Sequence, residues 1–160
     1  DLHNLINLSV ENDNLNTIDV SKNKRLSYLD ISNNKIKEID LSNNTELTYF
    51  RCIADSIDRK AIIRALDISN NKKLRELTCS YSLQGVSLDL SGCRNLKDIY
   101  LDNCVLSEID VSDCTDLKTL DLRNNRIPSL DLSKNIYLET LYVDKNRLSE
   151  LDLSNNKYLI

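Results

Sequence analysis

The sequence predicts a repeat solenoid: one domain over residues 1–160, mostly β and poor in helix, built from short stacked coils. Three observations carry this expectation. Leucine recurs at a nearly fixed interval along the whole chain. Only 2 Gly and 1 Pro are present, so the turns fall to Asn, Asp and Ser, whose side chains cap nearby backbone groups. Each repeat unit is itself a pair of similar halves, so the pattern recurs inside itself.

Units begin at Leu5, Leu26, Leu47, Leu74, Leu96, Leu117, Leu138 and Leu159, at spacings of 21, 21, 27, 22, 21, 21 and 21 residues. That makes about seven units and a terminal stub. The cleanest unit reads Leu117-x-x-Leu120-x-Leu122-x-x-Asn125-x-Ile127-x-x-Leu130-Asp131-Leu132-Ser133-x-Asn135, in which L-x-x-L-x-L-x-x-N occurs twice, ten residues apart. In L-x-L the two leucines point to one side of a strand and the middle residue to the other. A strand this short cannot bury its apolar side alone, so units must stack and share a core. Parallel strands spaced about 4.8 Å apart would make an array roughly 35 Å long. The Asn after each strand should bond turn backbone and the next coil, giving two ladders: Asn34, Asn125 and Asn146 on one, and Asn23, Asn44, Asn71, Asn135 and Asn156 on the other.

The unit resembles the bacterial leucine-rich repeats of nested 21-residue, IRREKO-like type, found in surface and secreted proteins of gut and oral bacteria and in Bacteroides-like surface proteins. The resemblance covers residues 5–159. It implies a right-handed leucine-rich-repeat solenoid with a parallel sheet on the concave side and extended segments on the convex side. For function it implies recognition and no particular ligand. It also implies an extracellular or cell-surface location, although residues 1–6 lack the charged and apolar regions of a signal peptide.

Two units depart from the spacing. Six extra residues fall within 53–65, where Asp55 or Ser56 could cap a short helix with Ile57 and Ala61 inward. Such an insertion is either a contact element or, more simply, a longer turn. One extra residue near Gln84-Gly85 suggests a bulged turn.

The five cysteines lie on the repeat grid. Cys52 and Cys79 replace the second strand leucine, Cys93 and Cys114 sit on one Asn ladder, and Cys104 on the other. Buried thiols are the simplest reading. A disulfide between neighbouring rungs is conceivable, whereas zinc is disfavoured by the lack of C-x-x-C and by a single histidine, His3.

Asp19, Asp40, Asp67, Asp89, Asp110, Asp131 and Asp152 form a column, each followed two residues later by Ser. Calcium would require multi-oxygen loops that are missing here. The acids are expected instead to accept hydrogen bonds from backbone or Ser groups of the neighbouring coil. No cofactor is implied. There is no phosphate loop or nucleophile motif, so catalysis has no foothold. The net charge of -4, from 21 basic and 25 acidic residues without a basic stripe, argues against a nucleic-acid partner. No apolar run approaches the roughly 18 residues of a membrane span.

Outward residues distinguish the two halves. In the second half they repeat as Asp then Ser, whereas in the first half they change from unit to unit. The β-prone Tyr and Thr among them make the first half the expected concave sheet. Tyr28, Tyr49, Arg51, Thr78, Tyr100, Asp121, Arg123, Tyr142 and Asp144 are the candidate binding residues, because Tyr and Arg dominate interface hot spots. The expected partner is another protein, with a host protein or a glycan among the candidates. Simple drift of a solvated face and a spacer or stalk role are the plainer alternatives. Leu138, Leu141 and Leu159 would leave an apolar end, expected to be covered by another domain or by self-association with a second copy.

Overall fold

The computed structural model describes residues 3–54 and 63–160. Nine short strands occur along them. In chain order they are β1 (Asn7–Ser9), β2 (Tyr28–Asp30), β3 (Glu38–Ile39), β4 (Tyr49–Arg51), β5 (Ala65–Leu66), β6 (Glu76–Thr78), β7 (Asp98–Tyr100), β8 (Thr119–Asp121) and β9 (Thr140–Tyr142). Seven form one sheet in the order β1-β2-β4-β6-β7-β8-β9, each paired parallel to the next. This is the leucine-rich-repeat solenoid, and its sheet comes from the first half of every unit. Second-half strands pair only as β3 with β5 among the described residues.

The register explains why the pattern folds this way. Leu8, Leu29, Phe50, Leu77, Ile99, Leu120 and Leu141 fall in one inward column, one per rung. Behind them the unit-start leucines Leu26, Leu47, Leu74, Leu96, Leu117 and Leu138 are all fully buried. Each coil is thus apolar toward its neighbours, and burying that surface is what drives stacking.

Turns after the sheet strands are made by left-handed residues at one recurring position. Asn12, Asn33, Tyr81, Asn103, Asn124 and Lys145 have φ between 55° and 61°. Asn tolerates this conformation better than most residues, which is how the chain turns almost without glycine. Near the expected bulge, Gly85 has φ +66° and its N–H donates to Cys104 O at 3.2 Å. The helix expected at 55–62 lies outside the described residues.

Both ladders are present. Asn125 Oδ1 accepts from Cys104 N and Leu106 N, while its Nδ2 donates to Leu101 O and Leu122 O. On the other ladder Asn135 Nδ2 donates to Val111 O and Cys114 O, each at 2.9 Å, and Asn156 repeats this one coil later. Cys93 and Cys114 occupy two successive rungs of that ladder, fully buried. All five thiols are buried. Burial pushes the Cys104 and Cys114 thiols up to about 12. Cys52 and Cys79 stack as their spacing required, with Sγ atoms 2.6 Å apart.

The Asp–Ser column is wired differently from expectation. The carboxylates of Asp19, Asp40, Asp67, Asp89, Asp110, Asp131 and Asp152 accept the backbone N–H of the Ser two residues on, in the same coil. An Asx turn satisfies the acid locally, so no bond to the adjoining coil is needed. The Ser hydrogen bonds hold these carboxyls below their ordinary value.

Candidate functional site: the outward face of the sheet

The strand alternation that sends leucine inward sends two columns outward. One runs Asn7, Tyr28, Tyr49, Glu76, Asp98, Thr119, Thr140, and the next Ser9, Asp30, Arg51, Thr78, Tyr100, Asp121, Tyr142. A third, from Ser32 through Ser80, Asp102 and Arg123 to Asp144, follows at the edge of the strands.

A shallow depression of about 520 Å³ runs along the middle column from Arg51 through Thr78, Tyr100 and Asp121 to Tyr142. Glu76 closes one side of it, and Ser80, Asp102 and Arg123 close the other. Six of the nine sequence candidates therefore meet at one place. Tyr28 and Tyr49 form a separate aromatic pair on the same face, ring centroids 6.4 Å apart. Asp144 is exposed beyond the far end. Glu76, Ser80 and Asp102 complete the lining and are not among the sequence candidates, since the outward pattern does not tell which acids and serines share a depression with the aromatic residues.

Outward does not mean exposed. Asp121 is 2% exposed, Asp30 2% and Thr78 5%, whereas Tyr142 is 44%. Rungs about 4.8 Å apart crowd small residues beneath their larger neighbours. Each buried acid is satisfied. Asp30 Oδ1 accepts from Ser32 N at 3.0 Å and from Ser32 Oγ at 2.5 Å, with Arg51 Nε 3.9 Å from Oδ2. Asp121 is gripped two-pronged by Arg123, whose Nε lies 2.9 and 3.0 Å from the two carboxylate oxygens and whose Nη2 lies 2.5 Å from Oδ2. The pairing holds the Arg123 guanidinium still more firmly protonated.

Around Tyr100 the balance differs. Glu76 Oε1 accepts from Thr78 Oγ1 at 3.0 Å, and Asp102 accepts from Ser80 Oγ and, at 2.7 Å, from Asn103 Nδ2. These are neutral donors. Partial burial raises the Tyr100 phenol, and the carboxylates of Asp98 and Glu76 raise it further. Elsewhere, Ser129, Asp131, Ser133, Glu150 and Asp152 border a second hollow of about 700 Å³ among the second halves. No group of three or more His, Cys, Asp or Glu residues that could hold a metal ion occurs among the described residues. No described helix is long and apolar enough to cross a membrane.

Face and coil together define a leucine-rich-repeat solenoid. The Leucine Rich Repeat family profile matches residues 25–52 and 116–136. Among solved structures, the functional domain of InlJ from Listeria monocytogenes, described as including a cysteine ladder, superposes with a TM-score of 0.88 and 34% identity over 98% of this chain. The chain spans 34% of that domain's length. An internalin C2 from Listeria monocytogenes gives a TM-score of 0.65 at 19% identity, over 99% of this chain and 80% of that one. The LRR ectodomain of the Arabidopsis thaliana receptor kinase GASSHO1/SCHENGEN3, solved in complex with CASPARIAN STRIP INTEGRITY FACTOR 2, gives 0.76 at 20% identity, over 98% and 20%. The last two likenesses concern the fold alone. No curated protein sequence matches the chain.

Proposed function

We propose that the chain is a non-catalytic recognition module that holds a partner protein on the outward face of its sheet. The depression between Arg51 and Tyr142 carries this reading: it gathers two tyrosines and two arginines where the fold requires only outward residues. Uniform positions, such as the Asp–Ser column, do the same structural work in every coil, whereas the varied ones share no such common task. The complexed receptor ectodomain supports the reading by likeness of fold. The regular 21-residue spacing and the 34% identity to a Listeria domain support placement with the nested bacterial repeats of secreted or cell-surface proteins.

The test compares two immobilised baits, the native chain and Tyr100→Ala/Tyr142→Ala, against extracellular protein fractions read by mass spectrometry. Proteins retained by the first and lost by the second, at equal melting temperature, support the reading. Equal retention by both baits, or loss on changing Ser112 and Ser133 instead, overturns it.

A further inference from the structure

The acidic bay around Tyr100 has a chemistry that narrows the partner. The two arginines of the depression are turned to acids of the chain itself: Arg51 to Asp30, and Arg123 to Asp121. Glu76, Asp98 and Asp102 lie around Tyr100, and the hydrogen bonds given to Glu76 and Asp102 come from neutral hydroxyl and amide donors. Arg123 attracts Asp102 and Lys118 attracts Asp98, but each of these cations is hydrogen-bonded to another acid. Arg75, Lys97 and Lys118 immediately precede β6, β7 and β8, and Lys118 is engaged with Glu139 at 2.5 Å. None of these three basic residues lines the depression.

The same face already shows what its rings accept. Arg123 places its guanidinium carbon 4.9 Å from the centroid of the Tyr142 ring while holding Asp121. Tyr100 occupies the equivalent middle position two rungs away, about 10 Å along the column. It has carboxylates on either side, and Arg123 over Tyr142 is the one cation–ring stack among the described residues. A ring face flanked by acids suits a planar or compact cation, by cation–π attraction together with charge pairing.

We propose that this bay receives a single arginine or lysine side chain from an extended segment of the partner protein, its cationic head over Tyr100 and within reach of Glu76 and Asp102. This rests on the recognition reading above and adds the charge of the residue recognised. The two arginines that line the depression disfavour a broadly cationic surface, so one cation is taken rather than a polybasic run.

The test titrates the whole isotope-labelled chain with N-acetyl-arginine methylamide and, in parallel, with its neutral citrulline counterpart, following amide shifts by NMR. Saturable shifts centred on Glu76, Asp98, Tyr100 and Asp102, with Kd on the order of 1 mM or weaker, are expected for arginine and not for citrulline. Glu76→Gln/Asp102→Asn should weaken them about three- to ten-fold. Asp110→Asn/Asp131→Asn, which removes equal charge from the Asp–Ser column and keeps an acceptor for each serine N–H, should leave them unchanged. Equal response to citrulline, shifts spread over both acidic regions, or no saturable response overturns the proposal. If the bait experiment still depends on Tyr100 and Tyr142 while arginine gives nothing, the recognition face stands and its charge preference falls.

Discussion

Arg123 binds Asp121 in its own strand turn and lies 4.9 Å from the Tyr142 ring of the next rung, so one side chain links two adjacent coils on the outward face. Asp121 is 2% exposed, and Arg123 is the cation that compensates its burial.

Arg123→Ala should therefore destabilise the chain although Arg123 itself is largely exposed. After allowance for solvent screening the loss is about 1 kcal/mol, or a melting temperature lower by about 2–4 °C. Arg123→Lys should recover part of it. An unchanged melting curve for the alanine variant would show that the backbone N–H of residue 123 is enough to hold Asp121.

The ladders make different demands on their residues. Asn125→Ala removes two donated and two accepted bonds inside the coil stack. Orphaned buried backbone groups cost about 1–3 kcal/mol each, so chemical denaturation should show a loss of at least about 2–3 kcal/mol. Asn135→Cys should cost clearly less, because Cys93 and Cys114 already fill the same position in the two preceding coils.

Phe50 is fully buried in the inward column where other rungs carry Leu or Ile. Phe50→Ala should cost about 3–5 kcal/mol, whereas Phe50→Leu should cost far less because leucine fills the same position elsewhere. Comparable losses for the two would mean that the column adapts freely to volume.

Thiol reagents near neutral pH should find few reactive groups in the native chain and five after denaturation. Burial raises Cys79, Cys93, Cys104 and Cys114, so the reactive thiolate is suppressed as well as shielded. Fewer than five in unfolded, unreduced protein would reveal a disulfide, and Cys52–Cys79 is the pair whose sulfurs already touch.

Acid should unfold the chain through the Asp–Ser column. Folded values lie below the ordinary 3.8, so these carboxylates bind protons more readily when unfolded. Their contribution is complete above the unfolded value and fades as pH falls below about 4 toward the depressed folded value. A melting temperature that stayed flat from about pH 5 to about 2 would contradict this.

The column grid was legible because a fixed period leaves little freedom: once Leu117, Leu120 and Leu122 point inward, Asp121 must point outward. Which half carries the sheet was also readable, since Tyr and Thr suit strands while Asp and Ser bend the second half into Asx turns. Depth was not readable. Asp121 and Tyr142 share one outward column, yet Asp121 is 2% exposed under a folded-back arginine while Tyr142 is 44% exposed. The direction of the Asp–Ser bonds was missed as well, because periodicity reports which residues align across coils and not which partner is nearer.

The asparagine ladders also impose a temporal order. Asn125, Asn135, Asn146 and Asn156 each donate to carbonyls 21 or 24 residues earlier in the chain. Those acceptor carbonyls have thus already been synthesised when each ladder residue emerges. In a chain delivered amino terminus first, each coil's carbonyl acceptors therefore precede the asparagine that binds them, and a coil can add to the one before it without waiting for the rest of the array.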